Sequence, residues 1–196
     1  MTKPIEFYFD FSSPYGYLAA TRIDALGAKY KRNVAWRPFL LGAAFKVTGQ
    51  KPLTEQPLRG PYHAHDFARS ARLLGVPFRL PEKFPFFALA ASRAFYWLGG
   101  DDRAKSLARS VYHAAFGEGR DVTPVAVVAE LAAALGIDGL EKGIELPETK
   151  ATLRDATDRA IASGIFGSPF FIVDGEAFWG HDRLAQVDHW LATGGW

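Results

Sequence analysis

Two adjacent hydroxyl side chains, Ser12 and Ser13, lie where a strand pattern ends and a helix pattern begins, directly before Pro14. At a helix start, unpaired backbone N–H groups and the helix dipole favour a bound negative charge. Serine followed by proline is also an ordinary way to begin a helix. Two interpretations are therefore open: both serines are structural, or Ser12 caps the helix and leaves Ser13 free to contact a ligand.

Two further stretches near the end of the chain carry groups that can bind a small molecule. Ser168 precedes Pro169, and a cis peptide bond there would turn the N–H and C=O of Ser168 outward as a docking edge for a peptide-like ligand. The alternative is a plain strand start. From Gly180 to Arg183, a helix opening can hold a carboxylate on its backbone amides and an ammonium group on Asp182, although Asp182 can equally serve as a helix cap.

The 196 residues include no cysteine. This excludes disulfides, thiolate metal sites and disulfide oxidoreductase chemistry, and it means that any sulfur chemistry needs a small-molecule thiol. We expect no metal site, because His63 and His65 are two positions apart on a predicted helix and do not share a face; with Asp66 they are expected to be solvated side chains. A serine hydrolase is disfavoured, because Ser13 lacks a Gly-x-Ser-x-Gly elbow.

Composition narrows the class of protein further. The formal net charge is +2, and the lysines and arginines are scattered, which argues against nucleic-acid binding. The apolar runs are shorter than the roughly 20 residues that cross a bilayer, so we expect no membrane partner. The N-terminus leads directly into a strand pattern and lacks the layout of a signal peptide, so we expect a cytoplasmic location.

The start of the chain has the pattern of a parallel βαβ unit. Pro4–Phe9 alternates apolar and polar residues as a strand does, a helix is predicted from Pro14 to about Tyr30, and Asn33–Phe39 is a second strand pattern. Because the connections are short, the two strands are expected to be neighbours in one sheet.

The end of the chain has a different and complementary pattern. Lys150–Ser163 is predicted to be helical, and Phe170–Val173 is a short apolar strand. Asp174-Gly175 is a strong hairpin signal, Ala177–Trp179 is the returning strand, and Asp182 is predicted to open a final helix. The tail is therefore αββα.

Between these ends, the sequence has helical periodicity in four stretches: Arg59–Leu74, Phe86–Leu98, Arg103–Phe116 and Thr123–Leu135. Together the parts predict an α/β thioredoxin-like fold, βαβ…αββα, with an all-helical insertion. We place the thioredoxin-like domain at residues 1–48 and 150–196 and the helical insertion domain at residues 49–149.

Four segments, spread over nearly the whole chain, carry a resemblance to a known family: Phe9–Leu18, Gly117–Asp121, Phe166–Pro169 and Phe178–Leu184. They resemble the 2-hydroxychromene-2-carboxylate isomerases and the kappa-class glutathione transferases, which belong to the DsbA-like branch of the thioredoxin superfamily. The Trp-Gly-x-Asp-Arg-Leu ending is more similar to that of the isomerases.

The resemblance implies glutathione as the cofactor and assigns a role to each matching residue. Ser13 is the implied catalytic residue, which hydrogen-bonds the glutathione sulfur, and Ser168 before Pro169 binds the cysteinyl backbone. The other implied contacts are Gly180, His181, Asp182 and Arg183 for the γ-glutamyl end, and Gln50, Lys51 and Arg59 for the glycyl end. For the implied reaction we expect Tyr15 and Phe45 to wall the substrate pocket. Relatives often have asparagine at the positions of Gln50 and His181, and lysine at that of Arg59, so this sequence departs from the pattern there.

The implied activity interconverts 2-hydroxychromene-2-carboxylate and trans-o-hydroxybenzylidenepyruvate, an aromatic 2-oxo acid, with the glutathione thiolate as a transient nucleophile. Two alternatives remain open: a kappa-like transferase that conjugates glutathione to electrophiles, and a non-enzymatic thioredoxin-like module that binds peptides. The resemblance also implies a homodimer.

Overall fold

The computed structural model describes residues 3–196. Within them, four strands form a sheet: β1 (Ile5–Phe9), β2 (Val34–Pro38), β3 (Phe170–Val173) and β4 (Glu176–Trp179). The order is β2-β1-β3-β4, with β1 parallel to β2 and antiparallel to β3, and β3 antiparallel to β4. This topology confirms the predicted α/β thioredoxin-like fold.

Strand β1 lies inside the sheet and is covered on its apolar face by the insertion. Ile5, Phe7 and Phe9 are fully buried, as strand alternation predicts. Phe9 meets the edge of Phe95, a residue of the inserted helices, with ring centroids 5.9 Å apart. Residues of the sheet and of the insertion thus belong to one hydrophobic core, and the domain boundaries at residues 48/49 and 149/150 stay a prediction.

The first helix is shorter than the sequence pattern predicts. A single helix is predicted from Pro14 to about Tyr30, but the structure has two helices, α1 (Pro14–Ala20) and α2 (Ile23–Lys29), so this prediction is wrong. The Thr21 hydroxyl donates to the Leu18 carbonyl at 2.7 Å, and such local side-chain bonding competes with the helical ladder. A seven-residue α1 is therefore the helix that begins at the two serines.

The helices between β2 and the tail lie in the predicted insertion, apart from the first, which directly precedes it. Their bounds are α3 (Leu41–Thr48), α4 (Arg59–Leu74), α5 (Leu89–Trp97), α6 (Asp102–Tyr112), α7 (Val125–Ala133) and α8 (Leu140–Gly143). The predicted bounds of α4 are confirmed, whereas α5 begins three residues later than predicted and α6 passes into a π-helical turn at His113–Gly117. In the part of the chain that the structure describes, no helix combines the length and the apolar character needed to cross a bilayer.

The tail has the predicted αββα order. Helix α9 (Pro147–Ala162) precedes the β3–β4 hairpin, and α10 (Leu184–Thr193) follows it. Asp182 does not open the last helix, which begins two residues later; the residues His181–Arg183 form a short 3-10 turn instead. This turn brings the segment after β4 to the start of α1.

Candidate functional site

A cleft of about 1850 Å³ opens in front of the start of α1. Its lining comes from the starts of α1 and α3, from α4, from the loop before α5, and from the segments on both sides of the β3–β4 hairpin. The predicted site residues that line it are Ser13, Tyr15, Phe45, Gln50, Lys51, Ser168, Pro169, Gly180, His181, Asp182 and Arg183. Arg59, the first residue of α4, is not among the lining residues, so its role stays a prediction.

Ser13, not Ser12, caps α1. Its Oγ accepts a hydrogen bond from the Gly16 N–H at 3.0 Å and donates its proton to the Ser168 carbonyl at 2.8 Å. The Ser12 hydroxyl instead donates to the Asp10 carboxylate at 2.8 Å. The interpretation in which Ser12 caps the helix and Ser13 is free is therefore wrong: Ser13 lines the cleft, but without a ligand its single proton is already engaged.

Ser168 sits beside Ser13 on the cleft floor. The Ser168–Pro169 peptide bond is cis, as one of the two sequence interpretations requires. The Ser168 hydroxyl accepts from the Asp10 N–H at 2.9 Å, while its carbonyl accepts from Ser13. Both serines are more than nine-tenths buried, so the start of α1 and the loop before β3 are held in one arrangement.

Asp10, which the sequence analysis left without a role, connects the elements of the floor. One carboxylate oxygen accepts from the Ser12 N–H and hydroxyl, and the other accepts from the Leu41 N–H at 2.7 Å, at the start of α3. Its backbone carbonyl accepts from the Tyr112 hydroxyl at 2.9 Å. Burial raises the pKa of Asp10, and the hydrogen bonds from Ser12 and Leu41 oppose that rise. Asp10 thus fixes the position of α1 relative to α3.

Gly16 permits the close approach of α1 to this floor. A Cβ at this position would stand 2.5 Å from the Tyr112 hydroxyl oxygen and 3.1 Å from both the Ser13 Cβ and the Ser168 Oγ. Real Cβ atoms do not come this close to a buried oxygen, so the floor requires glycine here.

A cluster of titratable side chains forms the wall beside Ser13. The Tyr15 hydroxyl donates to Asp66 Oδ2 at 2.5 Å, and its oxygen lies 3.4 Å from His63 Nδ1. Arg69 holds the other carboxylate oxygen of Asp66. His65 is exposed, but His63 and Asp66 are partly buried, so the expectation that all three are solvated is wrong for these two: Tyr15 of α1 covers them.

Electrostatics keeps most of this wall uncharged. Burial and the hydrogen bond to Asp66 raise the pKa of Tyr15, and burial lowers the pKa of both His63 and His181. Burial would raise the pKa of Asp66, but hydrogen bonds from Tyr15 and Arg69 lower it overall. The carboxylate of Asp66 is thus ionised while the rings around it are neutral.

The 180–183 segment reaches the cleft through Gly180, whose φ of 112° is accessible to glycine and strained for other residues. The His181 ring stacks on the Tyr15 ring with centroids 4.8 Å apart and planes 7° apart. Asp182 pairs with Arg183 at 2.8 Å and does not cap a helix with its side chain, so the helix-cap alternative for Asp182 is wrong. The exposed carboxylate of Asp182 stays accessible from the cleft.

The opposite wall is apolar. Phe45 of α3 lines the cleft, and so does a segment rich in phenylalanine, residues 84–89. Phe87 is 82% exposed, so a large aromatic surface is open on this side. Lys51 is on the same rim, and within residues 3–196 it has no carboxylate within ion-pair distance. The cleft can therefore take a flat apolar group together with an anion.

The sequence pattern assigned Asp10 no functional role, and it offered His63 and Asp66 only as candidate ligands of a metal site that we did not expect. The signal for Asp10 is an acidic residue at the carboxyl end of a buried strand, where ligands gather in open α/β sheets. The signal for the other two is their spacing of three positions, which places them on one helix face. Neither spacing nor periodicity shows that Tyr15 packs against that face.

The fold and the site define a thioredoxin-like protein with a hydroxyl at the helix start. The chain belongs to the family of the DSBA-like thioredoxin domain, which matches residues 4–192. It is 29% identical to a 2-hydroxychromene-2-carboxylate isomerase of Sphingobium xenophagum, over 97% of this chain and 99% of that protein. It is also 29% identical to glutathione S-transferase kappa 2 of Caenorhabditis elegans, over 97% of this chain and 92% of that protein.

Solved structures agree with this assignment. A structure of a 2-hydroxychromene-2-carboxylate isomerase matches with a TM-score of 0.88 at 26% identity, and the match covers 96% of this chain and 94% of the other. A cytosolic disulfide reductase of Pseudomonas aeruginosa, in a structure with glutathione, matches with a TM-score of 0.66 at 19% identity and 96% coverage of both chains. The second likeness is one of fold alone.

Proposed function

We propose that this protein is a glutathione-dependent isomerase that interconverts 2-hydroxychromene-2-carboxylate and trans-o-hydroxybenzylidenepyruvate. Relatives that carry the isomerase name cover nearly the whole chain in sequence and in structure. Relatives named kappa glutathione transferases support glutathione as the thiol.

The observation that carries the proposal is the pair formed by Ser13 and Ser168 on the cleft floor, where the Ser13 hydroxyl oxygen lies 2.8 Å from the Ser168 carbonyl oxygen. The hydroxyl is a proton donor for a sulfur, and the carbonyl beside it is an acceptor for a peptide N–H. A cysteinyl peptide supplies both partners in one molecule. Because the chain has no cysteine, the thiol has to come from such a ligand.

The size of the proposed thiol activation can be estimated from the hydrogen bonds of Ser13. A hydrogen bond to a charged acceptor contributes roughly 1.5–3 kcal/mol, but Ser13 gives up a neutral bond to Ser168 that contributes roughly 0.5–1.5 kcal/mol. The difference is about 1.3 kcal/mol, which lowers a thiol pKa by about one unit from about 8.5. The short α1 adds at most about 1 kcal/mol at its N-terminus. Glutathione is thus partly ionised at neutral pH without a protein base.

The thiolate acts as a transient nucleophile in the proposed reaction. In the opened substrate, the thiolate adds to the double-bond carbon that lies farther from the ketone. The electrons of the double bond shift toward the carbonyl, and the ketone oxygen takes the negative charge of an enolate. The former double bond rotates as a single bond. The electron pair then returns, restores the double bond in the trans arrangement and expels the thiolate, so that glutathione is regenerated.

The two walls of the cleft suit this substrate. Tyr15 on one side and Phe45 on the other can enclose the aromatic ring, and Lys51 can meet a carboxylate of glutathione or of the substrate. On the tail side, the backbone from Gly180 and the exposed carboxylate of Asp182 can hold the α-amino acid end of glutathione. A homodimer and a cytoplasmic location belong to the same proposal.

A kappa-like transferase is the second candidate, because a relative of that name is equally similar to this chain. A stopped assay separates the two: the isomerase gives trans product with the glutathione concentration unchanged, whereas a transferase consumes glutathione in proportion to an added electrophile. Calorimetric titration with glutathione tests both against a non-enzymatic peptide-binding module. Saturable binding to the wild-type protein is expected, and its absence would overturn the proposal.

A further inference from the structure

The wall cluster beside Ser13 leaves one nitrogen of His63 unused, and the proton count shows which one. The Tyr15 hydroxyl has a single proton, and it lies on the short bond to Asp66. The Tyr15 oxygen can therefore only accept from His63 Nδ1, which lies 3.4 Å away. A neutral imidazole with its proton on Nδ1 has a free electron pair on Nε2.

The surroundings of His63 keep its ring neutral and oriented. Burial lowers its pKa, Arg59 acts in the same direction, and the ionised Asp66 opposes them. The ring packs against Phe67 and Tyr62, with centroids 6.3 and 5.8 Å apart. The titratable and charged groups around it are Arg59, Tyr62 and Asp66 on α4, Tyr15 on α1, and His181 and Asp182 behind the Tyr15 ring.

We propose that His63 is a catalytic residue that transfers the proton in the ring-opening step of the isomerisation. The inference rests on the proposed function, and it assigns to His63 a task that the thiolate at Ser13 does not perform. Both residues line the same cleft. Tyr15 and Asp66 are positioning residues, because they act through the imidazole.

The step balances without any further reactant. The closed substrate is a cyclic hemiketal, whose hydroxyl proton passes to Nε2 of His63. The bond between the hemiketal carbon and the ring oxygen breaks, its electron pair goes to the ring oxygen, and the hydroxyl oxygen becomes the ketone oxygen. His63 returns the proton to the ring oxygen, which becomes a phenol, and the imidazole is neutral again.

The test compares three forms of the full chain: wild type, His63→Ala and His65→Ala. His65 is the matched control, because it is on the same helix, exposed and outside the cleft lining. For His63→Ala, kcat is expected to fall about a hundredfold, at the lower end of what a general acid–base group contributes. Added imidazole is expected to restore part of that loss, which a purely structural residue would not allow. His65→Ala is expected to keep wild-type activity.

Two further measurements separate chemistry from folding. His63→Gln keeps the size of the side chain but cannot transfer the proton, so it is expected to be as slow as His63→Ala while both variants bind glutathione like the wild type. The wild-type kcat is expected to fall on the acid side of neutrality for two reasons, because both Nε2 of His63 and the glutathione thiolate become protonated there. In His63→Gln only the thiolate contribution is expected to remain, so the acid limb should be less steep than in the wild type.

The outcomes are distinguishable. If the wild type does not isomerise the chromene, the proposed function fails and the role of His63 fails with it. If the wild type isomerises it and His63→Gln stays within about twofold in kcat, far below the usual effect of a lost acid–base group, only the role of His63 is overturned.

Discussion

Replacing Ser13 with alanine tests how much of the thiol activation comes from one hydroxyl. In the structure that hydroxyl has two bonds, one from the Gly16 N–H and one to the Ser168 carbonyl. The substitution removes both, together with the donor that would turn to the glutathione sulfur. The cleft keeps its shape otherwise, because alanine retains the Cβ.

The expected magnitude follows from the exchange of partners. On the proposed function, the wild type is expected to stabilise the thiolate by about 1.3 kcal/mol, the difference between a charged and a neutral hydrogen bond, which corresponds to about one pKa unit. At pH 7, a thiol pKa of about 7.5 gives about 24% thiolate, and a pKa of about 8.5 gives about 3%. At pH 7, Ser13→Ala should therefore lower the thiolate fraction about eightfold, and the reaction rate should fall by the same factor.

The assay is an ultraviolet titration of the thiolate of bound glutathione as the pH is raised. It is performed on the wild type and on Ser13→Ala, with glutathione held at saturation for each protein. The variant also loses the cap of α1, so its free energy of unfolding should fall by about 1 kcal/mol. Denaturant unfolding in the same buffer measures this loss separately.

Ser12→Ala is the matched control. It removes a neighbouring hydroxyl that bonds to Asp10 and not to Ser168, so the thiol pKa should stay at the wild-type value. The reasoning is refuted if Ser13→Ala binds glutathione with an unchanged thiol pKa, or if both serine variants raise that pKa equally.

Two predictions concern the packing of the cleft floor. Gly16→Ala places a Cβ against the Tyr112 hydroxyl and should lower the free energy of unfolding by about 1–3 kcal/mol. The control Gly42→Ala meets only the exposed ring of Phe87 and should leave the free energy of unfolding unchanged. Denaturant unfolding measures both. Asp10→Asn leaves one oxygen where the carboxylate has two, so either Ser12 or the Leu41 N–H loses its acceptor. The free energy of unfolding should therefore fall by about 1–3 kcal/mol at neutral pH. Because burial raises the folded pKa of Asp10, the contribution of Asp10 to stability should fall as the pH rises from the ordinary carboxyl pKa to the raised value, whereas carboxylates with a lowered pKa, such as Asp66, contribute the opposite trend. The free energy of unfolding of the wild type minus that of Asp10→Asn should therefore decrease over this pH range, and a constant difference would contradict the assignment.

The fold could be predicted from the sequence because its signals are local. Alternation in β1 and periodicity in α4 are strong patterns, and the Asp174-Gly175 turn specifies the hairpin. The end of α1 could not be predicted, because the bond from the Thr21 hydroxyl to a backbone carbonyl competes with helix continuation. Periodicity alone does not show which of the two arrangements prevails.

The site could be predicted only in part, because its decisive contacts are long-range. Ser12 and Ser13 are equally good caps in sequence, and the choice between them depends on Ser168, which lies 155 positions after Ser13. In the same way, His63 and Asp66 are ordinary helix residues until Tyr15, 51 positions before Asp66, covers them. A motif shows that these residues are present, whereas the fold determines which hydrogen-bond partner each of them has.

In the proposed function, the distribution of charge explains why this cleft floor needs a thiol ligand to become reactive. Ser13 and Ser168 are uncharged, and the Asp10 carboxylate faces backbone and hydroxyl donors in the interior. The negative charge thus comes from the thiol itself. The protein contributes the hydroxyl proton of Ser13, which leaves its hydrogen bond to the Ser168 carbonyl in order to bond the sulfur. Because that exchange yields only about 1.3 kcal/mol, the affinity for the rest of the tripeptide must hold the sulfur at Ser13. In the proposed function, recognition of the peptide and activation of its thiol are therefore one process at this site.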